Sequence, residues 1–171
     1  MLEVTNCVTN RTEGTTDKIG NGSYAIYTLR GAVGALVGGA KYGDVKNGEV
    51  TTFIYNTNST VTGGLVGAIT NSNVDNCVLT DSTLNPHTGC LACGGGLGQV
   101  VASTVSNITL NGVTILEPST TATGAIVGNS DAASTFSNIK VKGSIGGTAI
   151  TASSPMIAVN AGATIDVTIL E

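Results

Sequence analysis

The residues best placed to do chemistry sit in one short run, His87-Thr88-Gly89-Cys90-Leu91-Ala92-Cys93. A histidine and two cysteines at i, i+3 and i+6 are soft donors of the kind zinc takes, and Cys77 could supply a fourth. The same Cys-x-x-Cys can instead close as a local disulfide. It can also remain as two free thiols at a core or corner, with His87 on an exposed turn. Free thiols are the reading placed first, and zinc the last of the three. A thioredoxin-like role is weaker still, because no βαβ pattern surrounds the pair. Four cysteines in 171 residues are too few for a disulfide scaffold and leave the redox compartment open. His87 is the only histidine, so a Ser-His-Asp triad would have to use it, and no nucleophile elbow lies nearby.

Carboxylate chemistry on polysaccharides needs paired acids roughly 5–9.5 Å apart on one face. The 11 acidic residues are instead dispersed in phase. Asp75 and Asp166 share a repeat position three coils apart, and Lys46 precedes Asp75 by one coil. That pair reads as a surface ion pair worth at most about 1 kcal/mol. Neither an enzyme nor a cofactor is expected. Thr60-Val61-Thr62 and Thr121-Ala122-Thr123, with Thr151-Ala152-Ser153 near their register, form a Thr-x-Thr column. If flat and outward-facing it could order water and bind ice, though Gly31-Ala32-Val33 and Leu91-Ala92-Cys93 interrupt it. Sequons occur at Asn10, Asn21, Asn58 and Asn107. The first three fall in expected loops and could carry glycans.

What would position these groups is a repeat. Gly34-Ala35-Leu36-Val37-Gly38 recurs as Gly63-Gly64-Leu65-Val66-Gly67, as Gly94-Gly95-Gly96-Leu97-Gly98 and as Gly124-Ala125-Ile126-Val127-Gly128. Ser154-Pro155-Met156-Ile157-Ala158 is a worn copy. The starts lie 29, 31, 30 and 30 residues apart. A second motif, apolar-x-Asn, keeps step: Val45-Lys46-Asn47, Val74-Asp75-Asn76, Val105-Ser106-Asn107 and Phe136-Ser137-Asn138, with Ile165-Asp166-Val167 worn. Val4-Thr5-Asn6 is an earlier copy, 41 residues before Val45, so an insertion of about eleven residues is expected within Arg11 to Ser23.

The apolar spacing between motifs is nearer two than 3.6. Ile108, Leu110, Val113 and Ile115 mark two short strands about Gly112, and Ile139, Val141 and Ile145 do the same about Gly143. Val, Ile and Thr suit a pleated surface, and Gly, Asn and Ser suit the turns between. A period of about 30 residues holds roughly three strands. The expected fold is therefore all-β: a parallel β-helix or solenoid with three strands per coil and about five coils. The crossover rule makes it right-handed. The chain forms one domain over residues 1–171, with coils near 31–62, 63–93, 94–123, 124–153 and 154–171. Like residues then stack at ~4.8 Å. Asn6, Asn47, Asn76, Asn107 and Asn138 should form a side-chain amide ladder at one corner, which would bury Asn107. Cys7 and Cys77 lie two coils apart, ~9.6 Å, too far to bridge. The glycines allow tight corners or close backbone approach.

The glycine motifs resemble the GLUG repeat with its Gly-Leu-x-Gly signature. Gly64-Leu65-Val66-Gly67 matches directly; the copies at Gly34 and Gly124 match with conservative changes, and Gly96-Leu97-Gly98 is one residue short. Asn76-Cys77 and Asn6-Cys7 also look like that family. The resemblance covers roughly residues 31–150. Such repeats occur in large secreted or surface proteins, including some IgA-degrading metallopeptidases and adhesin-like proteins, outside the catalytic domain. It therefore implies an extracellular or cell-surface role and brings no catalytic residue.

Composition sets limits on partners. Charged residues are 11% and Lys plus Arg number 7, so no basic patch suits nucleic acid or an anionic membrane surface. No apolar run approaches the ~18 residues of a membrane helix. Aromatics are 4% with no Trp, which leaves the core to Val, Ile, Leu and Ala. Low charge, a mean hydropathy of +0.29 and ends that fall mid-coil suggest a fragment of a longer array, or a subunit that stacks into filaments. The leading expectation is a non-catalytic structural or adhesive module. Its partners would be neighbouring copies or flanking repeats, and glycans or a host surface. It would present loops such as Arg11 to Ser23 and Leu84 to Cys93. The alternatives are a carbohydrate-binding or polysaccharide-active β-helix, for which Tyr24, Tyr27, Tyr42 and Tyr55 are the aromatic candidates, and an ice-binding solenoid.

Overall fold

Alternating β-branched residues can pair only sideways, and here each strand pairs with its own copy one repeat away. The computed structural model describes residues 32–52, 59–86, 88–116 and 122–171, together with the backbone of strands at 2–5, 8–9, 18–19 and 54–57. It is an all-β solenoid of about 4 turns with strands about 30 residues apart. One coil runs β9 (Val61–Gly63), β10 (Val66–Thr70), β11 (Asn73–Thr80), β12 (Thr83–Pro86). The next runs β13 (Ala92–Gly94), β14 (Leu97–Val101), β15 (Thr104–Ile115). The third runs β16 (Thr123–Gly124), β17 (Val127–Ser130), β18 (Thr135–Ile145).

The preceding coil runs β4 (Ala32–Val33), β5 (Val37–Lys41) and then a long strand broken into three, β6 (Gly43–Lys46), β7 (Glu49–Thr51) and β8 (Ile54–Thr57). Three sheets result: a long one through β6, β11, β15 and β18, a five-stranded one through β5, β10, β14 and β17, and a short one through β4, β9, β13 and β16.

The register follows the motifs. Val45, Val74, Val105, Phe136 and Ile165 face one another across successive coils, as do Gly63, Gly94 and Gly124. Leu97 pairs with Val66. The Gly94–Gly98 copy is thus full length, with Gly96 standing where the previous coil has Leu65. The glycines serve close approach. A Cβ on Gly63 would collide with the Val66 carbonyl and lie 2.6 Å from the Gly98 amide nitrogen. The short sheet and the five-stranded sheet therefore meet backbone against backbone.

Corners are made by left-handed residues, which recur in columns: Tyr42, Asn71 and Ala102; Asn47, Asn76, Asn107 and Asn138; Thr52, Asp81 and Gly112. Gly112 (φ 74°) is the extra residue at a bulge, and Gly143 lies opposite Val113 rather than at a corner.

Inside, the core stacks Val74, Cys77, Leu79 and Leu84 of one coil on Val105, Ile108, Leu110, Val113 and Ile115 of the next. Leu65, Ile69, Leu97 and Val100 close it from the five-stranded sheet. Each such side chain contributes roughly 1.5–3 kcal/mol of burial. Among the described residues Phe136 is the aromatic of this core, so thin aliphatic layers carry the packing there.

Two expected loops contract. Within Arg11 to Ser23, β3 (Lys18–Ile19) pairs with β8, at an offset of 36 residues where β2 (Val8–Thr9) pairs with β7 at 41. The insertion is therefore split in two. Within Leu84 to Cys93, strands β12 and β13 take both ends and Leu84 is buried. After β18 the chain departs from the repeat. β19 (Thr148–Ala149) turns back antiparallel onto Ser144 and Ile145, before β20 (Ile157–Asn160) and β21 (Thr164–Ile169) rejoin the stack.

Candidate functional site

Alternation along β6, β11, β15 and β18 sends Val45, Val74, Val105 and Phe136 inward. Their neighbours form an outer polar face. One column is Asp44, Asn73, Thr104, Thr135 and Thr164; the next is Lys46, Asp75, Ser106 and Ser137. Beside them stand the left-handed asparagines.

This face is cross-linked from coil to coil. Asn73 Nδ2 donates to Asp44 Oδ1 at 2.8 Å, and Lys46 closes on Asp44 at 2.8 Å within its own strand. These two partners, Lys46 first, hold the Asp44 carboxyl below its usual value. Asp75 accepts from Ser106 Oγ and from Asn107 Nδ2, both at 2.7 Å. Those bonds, helped by the charge of Lys46, lower its pKa. The ion pair expected between Lys46 and Asp75 is therefore secondary to Lys46–Asp44.

The asparagine column bonds through its side chains with one substitution of partner. Asn76 Nδ2 donates to Asn47 Oδ1 at 2.8 Å, and Asn138 Nδ2 donates to Asn107 Oδ1 at 2.7 Å. Between them Asn107 turns to Asp75 instead of Asn76. In the last coil Asp166 lies opposite a bulge formed by Ser137 and Asn138, and accepts the Asn138 backbone N–H at 3.3 Å. All four asparagines are exposed, Asn107 included. The expected burial of Asn107 is wrong because a left-handed residue at a convex corner points its side chain along the outside of the rod. Asn6 lies outside the described residues, as do the sequon residues Asn10, Asn21 and Asn58.

A second column escaped the sequence reading. Ser72, Ser103 and Ser134 are buried where the five-stranded sheet turns into the long one. Ser72 Oγ accepts the Gly43 N–H at 3.2 Å, Ser103 Oγ the Ser72 N–H at 3.1 Å, and Ser134 Oγ the Ser103 N–H at 3.3 Å. Ser72 and Ser103 also donate to the carbonyl two residues back, at 2.9 and 2.7 Å. The signal was present: each serine stands two residues before the apolar-x-Asn motif. Asp131 caps this corner. Its carboxylate accepts the Ser134 hydroxyl and the Ala102 N–H, and both hold its pKa down.

Cys90 and Cys93 are joined in a disulfide and are fully buried. This overturns the free-thiol reading. It also removes the thiolates that zinc would need, so the zinc set of His87, Cys90 and Cys93 does not fit. His87 itself lies outside the described residues, among which no three His, Cys, Asp or Glu side chains converge on a metal position. Cys77 is buried in the core, outside any disulfide, with its Sγ 3.4 Å from the Asp75 carbonyl oxygen.

Of the Thr-x-Thr column, Thr62 and Thr123 are buried, Thr60 is half-buried, and Thr151 and Ser153 are exposed; Thr121 lies outside the described residues. Of the tyrosines, Tyr42 is 60% exposed at a left-handed corner with the Lys41 ammonium 5.2 Å from its ring centre. Tyr55 lies in β8, described by its backbone alone, and Tyr24 and Tyr27 lie outside the described residues.

No protein-family model, no curated protein and no solved structure matches this chain.

Proposed function

We propose that this chain is a non-catalytic structural or adhesive solenoid module of an extracellular or cell-surface protein. The observation that carries the reading is the closed outer face. Its carboxylates and amides bond across successive coils, from Asp44–Asn73 to Asn138–Asp166, so they stiffen a rod and are engaged with one another. The Cys90–Cys93 disulfide supports an oxidising compartment. The GLUG resemblance points to the same surroundings. The partners proposed are flanking repeats or neighbouring copies of the rod, and glycans or a host surface at its distal face.

An antibody to the chain, applied to intact cells of the source before and after protease shaving, tests this. Surface signal lost on shaving is expected; signal only after lysis would refute the placement. Immobilised chain that retains neither cells nor extracellular matrix would remove the adhesive half and leave the spacer.

A carbohydrate-binding reading keeps one specific observation, the exposed Tyr42 ring, since sugars stack on aromatic faces. A glycan array run with the chain and with Tyr42→Ala separates it: hits lost in the variant would establish it, and an empty array would remove it. The ice-binding reading is weakened, because Thr62 and Thr123 of its column are buried.

A further inference from the structure

Thr62 Oγ1 is buried with no hydrogen-bond partner. A buried hydroxyl without a partner is unfavourable, and such a group calls for an explanation. Thr62 lies in register with Cys93 on the adjacent parallel strand, so the two side chains share one face of the short sheet about 4.8 Å apart. In the disulfide, Cys93 has no S–H to offer and its sulfur is a poor acceptor.

We infer that Cys90–Cys93 is a reversible redox switch whose dithiol form is stabilised by Thr62. On reduction, Cys93 becomes a thiol that can donate to the Thr62 hydroxyl. The orphan of the oxidised state is then satisfied. The reductant is a small dithiol. One of its thiolates attacks a cystine sulfur, breaking the S–S bond and forming a mixed disulfide, and its second thiol then displaces the protein sulfur. Two electrons and two protons pass to the protein, leaving two thiols and an oxidised cyclic disulfide. Both cystine sulfurs are buried, whereas Thr88, Gly89 and Leu91 beside them are exposed. Exchange therefore follows opening of this short strap, and the reduced strap is freer than the oxidised one.

The test equilibrates the full chain in mixtures of reduced and oxidised dithiothreitol, traps thiols with a maleimide, and quantifies labelling at Cys90 and Cys93 by peptide mass. Thr62→Val keeps the volume and removes the hydroxyl, so it deletes the oxidised state's orphan and the reduced state's partner together. Its disulfide should be about tenfold harder to reduce, a potential about 30 mV lower. Thr62→Ser, which keeps the hydroxyl, should titrate like the parent. Equal titration of parent and Thr62→Val, or easier reduction of the valine variant, would overturn the switch. So would an equal shift in both variants, which would mark packing rather than the hydroxyl. Hydrogen exchange at 88–91 should quicken on reduction; unchanged exchange would also count against it.

Discussion

The two polar columns of the solenoid turn similar corners by opposite means. At the asparagine corner the side chains stay in water and bond to one another, Asn76 to Asn47 and Asn138 to Asn107. At the serine corner the side chains turn inward and bond to the backbone, Ser103 taking the Ser72 N–H and returning a bond to the Val101 carbonyl. The first column supplies the corner's shape, because asparagine tolerates the left-handed conformation. The second supplies what that shape removes, an acceptor for an amide turned out of the ladder. The difference predicts that the buried column matters more to stability than the exposed one, although the exposed one is easier to see in the sequence.

The largest effect is expected at Ser103. Ser103→Ala would leave the buried Ser72 N–H without its acceptor and cost about 1–3 kcal/mol, read as a drop in urea midpoint with unchanged slope. Asn107→Ala should cost less, about 1–2 kcal/mol, most of it the left-handed backbone at φ 54°. Asn107→Gly should recover most of that loss, since glycine takes the conformation freely. The gap between the two variants measures shape, and the residue left in the glycine variant measures the exposed amide bonds. If Asn107→Ala proved costlier than Ser103→Ala, the ranking of the two corners would be reversed.

How much of this was legible beforehand follows the same division. Val45, Val74, Val105 and Phe136 announced the register because burial enforces a fixed apolar column, and the coils stack on it. Gly63 and Gly94 announced a seam without revealing that two backbones touch there. The serines were missed because a Thr- and Ser-rich chain hides one more serine per turn. Whether such a residue faces inward depends on the corner preceding it, which propensity does not report. The Cys90–Cys93 bond was open in the sequence because a Cys-x-x-Cys is equally consistent with thiols. Asn107 was assigned to the interior because a stacked column suggests burial, whereas stacking and burial are separate properties at a convex corner.

Acid should weaken both corners, through Asp131 on the serine side and Asp75 on the asparagine side. Both carboxyls have folded pKa values below the ordinary 3.8. A depressed carboxyl adds stability that is present above the unfolded value and is lost as pH falls through the folded one. Stability should therefore hold down to about pH 4 and fall below it. Asp131→Asn keeps an acceptor for the Ala102 N–H but cannot titrate, so its urea midpoint should fall less between pH 5 and pH 2 than the parent's. An identical fall in parent and variant would mean that the Asp131 bonds to Ser134 and Ala102 do not distinguish folded from unfolded chain.

The smallest effect belongs to the most conspicuous charge contact. Lys46 and Asp44 meet at 2.8 Å, yet both lie on the outer face and the pair is worth about 0–1 kcal/mol in water. Lys46→Ala should shift the urea midpoint within that range, and less again at high salt. Asp44 keeps the Asn73 amide as a donor in either case. A loss as large as that of Ser103→Ala, persisting in salt, would show that the outer face is held by its charges. The contrast between a load carried by buried serine acceptors and a surface carrying little would then fail.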